Sequence, residues 1–480
     1  MSVDRGSFFI GGGWVEPSSS SRITVLNAAT EEVLGTVPEA MQADADSAVA
    51  AARDAFDNSG WPALAPADRA AIMTRFADEL EKRSGELAQT VSQENGMPIA
   101  LSQSLEAEFS IGMLRFYADL AAATPVEETR PSQQGKETIV RRSPLGVVAA
   151  IVPWNYPVLL AVSKIAPALA AGCTVVVKPS PPATVLDCYI LADAAEAAQL
   201  PPGLINWIPG GREVGAHLVA HPGVDKVGFT GSTGAGRAIA TVCAGLLRPV
   251  TLELGGKSAA ILLDDVDMDT IMPNLQYITF MNNGQTCVLC SRVLAPASRY
   301  DEIVDAIATR ASSLTIGNPL DPSVDIGPMA TSDHRDRVLG YIEKGKGEAK
   351  LVAGGGRPKG LERGWFVEPT VFAYMTNSAT IAQEEIFGPV LSVIPYDDDA
   401  DAVRLANDSP YGLGGTVFSA DTERAKAIAR QVETGSIGIN GYPIAFGSPF
   451  GGVKDSGLGR EFGPEALNSY LKLKSMYITG

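Results

Sequence analysis

Cysteine, histidine and positive charge are all scarce in this chain, and each shortage excludes something. The 480 residues hold five cysteines, Cys173, Cys188, Cys243, Cys287 and Cys290. That odd, sparse set excludes a disulfide framework and points to a reduced, cytoplasmic protein. The three histidines, His217, His221 and His334, stand apart from any Cys or Ser motif. A zinc site needs clustered Cys and His ligands and a protease triad needs a His base, so no metal is expected and a triad is disfavoured. Lys and Arg number 38 against 55 Asp and Glu, a net charge of −17, with no basic run to offset it. Such a field repels phosphate, which argues against nucleic acid and anionic membranes as partners. Long apolar runs are missing too. The most apolar region, 147–177, is cut by Pro153, Pro157, Lys164 and Pro167, short of the roughly 20 uninterrupted residues a membrane span requires. The first 15 residues have neither the basic start nor the apolar core of a secretory signal, and Phe8-Phe9-Ile10 before Gly11-Gly12-Gly13-Trp14-Val15 predicts a hairpin.

What is present suits an α/β protein of two or three compact units: 45% hydrophobic residues, 49 Gly and 32 Pro. Residues 41–59, 64–91 and 101–122 carry apolar side chains at helical spacing. Residues 127–142 are polar and β-prone at their end, which suggests a crossing arm. After Pro144 short β-type runs (146–151, 173–177, 205–208, 226–230) alternate with helical segments such as 187–199 and 213–221. That alternation implies right-handed crossovers and a parallel sheet, a nucleotide-binding architecture by class. A second alternation follows Gly255-Gly256 to about residue 440, and residues 469–478 return to strand character.

Several residues stand out chemically. Cys287, after Asn282-Asn283-Gly284-Gln285-Thr286, is either a nucleophile presented on a turn or a buried structural thiol. Glu253, in Thr251-Leu252-Glu253-Leu254-Gly255-Gly256-Lys257, is an acid in an apolar strand end. If buried, its pKa rises toward the range of a general base. Gly228-Phe229-Thr230-Gly231-Ser232-Thr233-Gly234 follows a strand and opens a helix, as a phosphate-binding turn does, although Ile239 replaces the last glycine of the dinucleotide pattern. Asn155, between Trp154 and Tyr156 in a Pro-bounded loop, suits an oxyanion donor or a simple turn.

Taken together and in order, these segments resemble the aldehyde dehydrogenase superfamily. The match runs from Phe9-Ile10-Gly11-Gly12 to the last strand and adds Val177-Lys178-Pro179-Ser180, Glu384-Glu385-Ile386-Phe387-Gly388-Pro389 and Pro449-Phe450-Gly451-Gly452-Val453-Lys454, continuing to Gly459-Arg460-Glu461. The resemblance implies Cys287 as nucleophile, Asn155 and the Cys287 N–H as oxyanion donors, Glu253 as the base that activates water, and Glu461 as a more distant acid. For a nicotinamide cofactor it implies Lys178 on the adenosine ribose, Gly231 and Ser232 at the pyrophosphate and Glu385 on the nicotinamide ribose, with Phe387, Trp154, Ile151 and Gly210 along the same cleft. NAD is the implied cofactor. Pro181 stands where many NAD-preferring relatives have Glu, so NADP is not excluded.

By the same resemblance, Tyr156, Leu160, Ser163, Thr286, Val288 and Phe450 line an entrance tunnel that holds no cation and is wide at Ser163. That suits a neutral, apolar, medium-sized aldehyde, aliphatic or aromatic, oxidised to its acid through a cysteine thiohemiacetal and thioester. Cys290 stands where relatives commonly have Gly and offers a protective disulfide with Cys287. The implied architecture is a Rossmann-like cofactor domain (1–121 and 145–255), an α/β catalytic domain (256–455) and a β oligomerisation arm with the C-terminal strand (122–144 and 456–480). It assembles as a dimer or homotetramer. An acyl-transfer enzyme or a non-catalytic scaffold is the competing expectation, and the presence of both Cys287 and Glu253 weighs against each.

Overall fold

Burial on both faces explains why the β-type runs after Pro144 are unbroken apolar stretches rather than alternating ones. In the computed structural model, which describes residues 3–479, every residue of strands Val147–Ile151, Thr174–Lys178 and Lys226–Thr230 is buried. Val147–Ile151 is the centre of an eight-stranded sheet and pairs in parallel with Thr174–Lys178 on one side and Lys226–Thr230 on the other. Ile205–Trp207 and Val250–Glu253 extend it outward, also in parallel. The strand order therefore reverses between Val147–Ile151 and Lys226–Thr230. In doubly wound sheets the crevice at the carboxyl ends of such a pair is where ligands bind. The expected hairpin, Phe8–Ile10 with Gly13–Val15, closes one edge of this sheet.

A second sheet of seven strands is built around Ala259–Leu262, which is flanked in parallel by Arg292–Pro296 and Gly415–Phe418. The crossing arm forms a third sheet: Glu137–Pro144 lies between Glu127–Pro131 and the terminal strand Leu471–Ile478. Among the described residues no helix is long and apolar enough to cross a membrane.

Three expectations need correction. The helical stretch 64–91 is two helices, Pro66–Glu81 and Ser84–Asn95, broken at Lys82-Arg83. The stretch 101–122 opens with π-type turns over Ser102–Phe109. The segment after residue 455 does not go to the arm as a whole. Gly457–Leu458 pairs antiparallel with Val250–Glu253 and closes the other edge of the first sheet, and only Leu471–Ile478 joins the arm. The physical reason is that Glu461 and Phe462 are buried against the first sheet's helices, and the chain must reach them before it leaves.

Candidate active site

Cys287 sits on a turn that few residue types could form. After helix Met268–Phe280, Asn282, Asn283 and Gly284 all adopt left-handed backbone conformations, with φ of 52°, 59° and 79°. Asn tolerates that region better than other side chains because its amide bonds locally. A Cβ on Gly284 would lie 2.0 Å from the Gly388 carbonyl carbon, so only glycine fits there. The side chains pin the turn. Asn283 Nδ2 donates to the carbonyls of Gly96 (2.8 Å) and Pro328 (2.9 Å), and Gln285 Oε1 accepts the Ala330 N–H at 2.9 Å.

Cys287 thereby lines two cavities of different chemistry, each of about 230 Å³, and is the residue common to both linings. The first is an apolar tunnel between Leu105 and Phe109 of the π-type segment, Leu159 and Leu160 of helix Pro157–Ala171, and Ile444 and Phe450. No charged side chain lines it among the described residues. Three of its hydroxyls are engaged, Tyr156 with Thr286 at 2.7 Å and Tyr442 with Ser436, and Tyr277 also lines it.

The second cavity lies at the carboxyl ends of Val147–Ile151 and Lys226–Thr230, the crevice that the strand order marks out. Trp154, Asn155, Gly231, Ser232, Glu385 and Phe387 all line it. Ser232 caps helix Thr233–Gly245 through the Ala235 N–H, so the positive end of that helix faces the cleft. Trp154, His334 and Phe387 form a cluster of edge-on rings with centroids 5.1–5.8 Å apart. His334 Nε2 donates to the Phe387 carbonyl at 2.6 Å, and burial pushes its pKa down to about 4, so the ring is neutral. Glu385 accepts the Gly256 N–H at 3.0 Å, and burial raises its pKa.

Glu253 is buried and neither carboxylate oxygen has a hydrogen-bond partner among the described residues. Its pKa is raised well above the carboxylate range, first by burial and then by the charge of Glu461, against the pull of Lys164 and Arg460. Burial, with Glu385 and Glu253 nearby, also pushes the Cys287 thiol far up, while its own N–H and that of Val288 pull it down. Glu461 is engaged: its carboxylate pairs with buried Lys164 at 2.7 Å and takes a hydrogen bond from Ser163 at 2.9 Å, and Lys164 also reaches Thr230 Oγ1 at 2.7 Å.

Tyr156, Leu160, Thr286, Val288 and Phe450 lie along the apolar cavity, and Ser163 does not. Three residues beyond Leu160, roughly 4.5 Å further along the helix, Ser163 is buried against Glu461, so a wide tunnel at that position has no basis. Lys178, Gly210 and Ile151 lie outside the cleft lining. Lys178 is buried with one long bond, 3.4 Å to Ser180 Oγ, and burial pushes its pKa down to about 8. Sequence reasoning missed Lys164, His334 and Arg337. The signal for Lys164 was available, since a lysine within a buried apolar helix requires a carboxylate partner. Nothing local marked the other two.

Away from the cleft, His217 and His221 do not stand alone: both face Asp46, with the His217 ring nitrogen 2.5 Å from its carboxylate. His221 Nδ1 accepts the Gly223 N–H, so its proton sits on Nε2, toward Asp46. That tautomer suits a hydrogen-bonded cluster rather than a metal ligand.

The profile of the Aldehyde dehydrogenase family matches residues 14–476. The chain is 57% identical, over the whole of both proteins, to geranial dehydrogenase of Castellaniella defragrans. It is 42% identical to a putative aldehyde dehydrogenase of Bacillus subtilis, covering 98% of this chain and 95% of that protein. The solved Mycobacterium tuberculosis aldehyde dehydrogenase complexed with NAD+ superposes with a TM-score of 0.97 at 46% identity, over 100% of this chain and 99% of that one. A Pseudomonas syringae aldehyde dehydrogenase mutant complexed with NAD+ and octanal gives 0.94 at 39%, over 98% and 96%. A cysteine turn between an apolar tunnel and a switch-point cleft thus coincides with end-to-end similarity, and the chain belongs to the aldehyde dehydrogenase family.

Proposed function

We propose that this enzyme oxidises neutral, apolar aldehydes of medium size, aliphatic, aromatic or isoprenoid, to carboxylic acids with NAD. The observation that carries this function is the position of Cys287 as the one lining residue shared by an uncharged apolar tunnel and a cofactor-type cleft. The similarity to a geranial dehydrogenase supports an isoprenoid chain in that tunnel.

The cleft fits a dinucleotide. It opens at a helix N-terminus suited to phosphate, and Lys178, buried outside the lining, has spare donors that would suit a ribose hydroxyl extending beyond it. Ser232 and Gly231 would hold the pyrophosphate, Glu385 the nicotinamide ribose, and Trp154, His334 and Phe387 the ring, with Ile151 and Gly210 flanking the path. Bound NAD supplies the hydride acceptor and a positive ring. Pro181 offers no carboxylate against a 2′-phosphate, so nothing at that position selects NAD over NADP.

The chain does the rest. Cys287 would release its proton to water, favoured by the positive ring of the bound cofactor, and the thiolate attacks the aldehyde carbon; the oxyanion that forms takes hydrogen bonds from the Asn155 amide and the Cys287 N–H. Loss of hydride leaves a thioester on the sulfur. Glu253 then removes a proton from water, the hydroxyl adds to the thioester carbon, and the thiolate departs from the acid. The Lys164–Glu461 pair holds a charge next to Glu253 that tunes this base.

Formation of reduced cofactor with octanal, geranial and benzaldehyde, set against succinate semialdehyde and betaine aldehyde, tests the assignment. Leaving a charge unpaired in an apolar tunnel costs several kcal/mol, so kcat/KM is expected to favour the neutral aldehydes by about 100-fold or more. Cys287→Ala is expected to abolish turnover while keeping NAD binding. Turnover confined to the charged aldehydes overturns the substrate class.

A further inference from the structure

We propose that Asn95, which lies outside every segment singled out in the sequence, is a positioning residue for the oxyanion amide of Asn155. This rests on the role assigned to Asn155 above. Asn95 is the last residue of helix Ser84–Asn95 and its side chain is fully buried. Its orientation is fixed: Oδ1 accepts the Met97 N–H at 3.0 Å, so Nδ2 points the other way. There it meets two consecutive carbonyls, Trp154 at 3.1 Å and Asn155 at 3.2 Å.

A second amide reaches the Asn155 carbonyl from the nucleophile turn, Asn282 Nδ2 at 2.9 Å. The Asn155 side chain returns the connection, donating from Nδ2 to the Gln285 carbonyl at 3.0 Å. The backbone of Asn155 is therefore clamped from two segments far apart in the chain. One of its two amide N–H groups is spent on the nucleophile turn, and the direction of the other, the oxyanion donor, follows from that clamp. The clamp continues next door. Asn283 donates to the Gly96 carbonyl at 2.8 Å, and a Cβ on Gly96 would lie 2.3 Å from the Pro328 oxygen, so this corner has no slack. Asn95 also holds the carbonyl of Trp154, the residue just before the oxyanion donor, so the clamp spans both peptide units on either side of it.

The test uses the full-length enzyme with Asn95→Asp, which keeps the shape and turns an oxygen toward both carbonyls, and with Asn95→Ala. Each is made alone and in an Asn155→Ala background. First-turnover formation of reduced cofactor with octanal is referred to the number of NAD-binding sites, so a partly folded preparation still yields the ratio. Displacement of a reacting group by about 1 Å costs on the order of 100-fold. Either Asn95 variant alone is expected to slow the first turnover by about 10- to 100-fold, with the Kd for NAD within about threefold of the parent. In the Asn155→Ala background the same substitution is expected to change the rate by less than about threefold, since there is no donor left to aim. An equal loss in both backgrounds, or a loss that appears only in NAD affinity, overturns the positioning role. A full first-turnover rate in Asn155→Ala itself overturns the oxyanion assignment, and this inference falls with it.

Discussion

A buried carboxyl group with no hydrogen-bond partner resists ionisation, and Glu253 combines that state with a negative neighbour in Glu461. Below its raised pKa it is protonated and cannot take a proton from water; above it, it can. Hydrolysis of the thioester is therefore expected to speed up as pH rises through the Glu253 pKa and then level off. Glu253→Gln is expected to keep the first-turnover burst, lose about 10²- to 10⁴-fold in steady-state rate, and lose that pH step. A stopped-flow burst followed by a pH profile checks both. The Lys164–Glu461 pair is a different case, because its 2.7 Å contact is fully enclosed. Lys164→Met leaves a buried carboxylate unpaired and is expected to cost about 3–5 kcal/mol of unfolding free energy, measured in denaturant. Cys287, Glu253 and Asn155 were legible because each sits in a segment whose local sequence is distinctive. The partner of Lys164 was not, because Glu461 lies 297 positions away.

At the level of elements, buried acids hold the starts of two helices. Glu106 accepts the N–H groups of Val158 (2.7 Å) and Leu159 at the head of helix Pro157–Ala171, which carries the tunnel wall. Glu94 does the same for Leu186–Ala197, accepting from Val185 and Leu186. Burial pushes Glu106 from an ordinary 4.5 up to about 8. Between those values the folded chain keeps a proton that the unfolded chain releases, so this group's contribution to stability falls as pH rises through the window. Glu106→Gln resembles the protonated side chain and does not titrate. The variant is expected to gain on the parent by about 2–4 kcal/mol from one end of that window to the other, as read from paired thermal melts. Strand positions followed from unbroken apolar runs. The break at Lys82-Arg83 and the π-type turns over Ser102–Phe109 did not, since the apolar spacing continues through both and packing decides where the axis shifts.

For the whole molecule, the arm and terminal strand pair along their full length, Leu471 with Pro144 through Ile478 with Glu137, but leave large side chains in solvent. Leu473 and Tyr477 on that strand are 65% and 76% exposed, and Leu247, at the end of a helix of the first sheet, is 92% exposed. Isolated apolar side chains in water are common, yet three this exposed on the arm and one helix end suit contact with a second copy. Sedimentation velocity is expected to show a dimer or tetramer, and Leu473→Asp with Tyr477→Asp to shift it toward monomer. A monomeric parent protein would remove the basis for that assembly.

By itself the sequence determined the chemical species and their neighbourhoods: a thiol after a Gly-containing turn, a carboxylate in an apolar strand end, an amide between prolines, and strands that alternate with helices. Those follow from short-range rules of backbone conformation and periodicity. Only the tertiary structure decided that two cavities meet at Cys287, that Ser163 turns to Glu461 rather than to the tunnel, and that Asn95 braces Asn155. Each of those depends on contacts between residues tens to hundreds of positions apart, where local pattern carries no information and packing alone selects the partner.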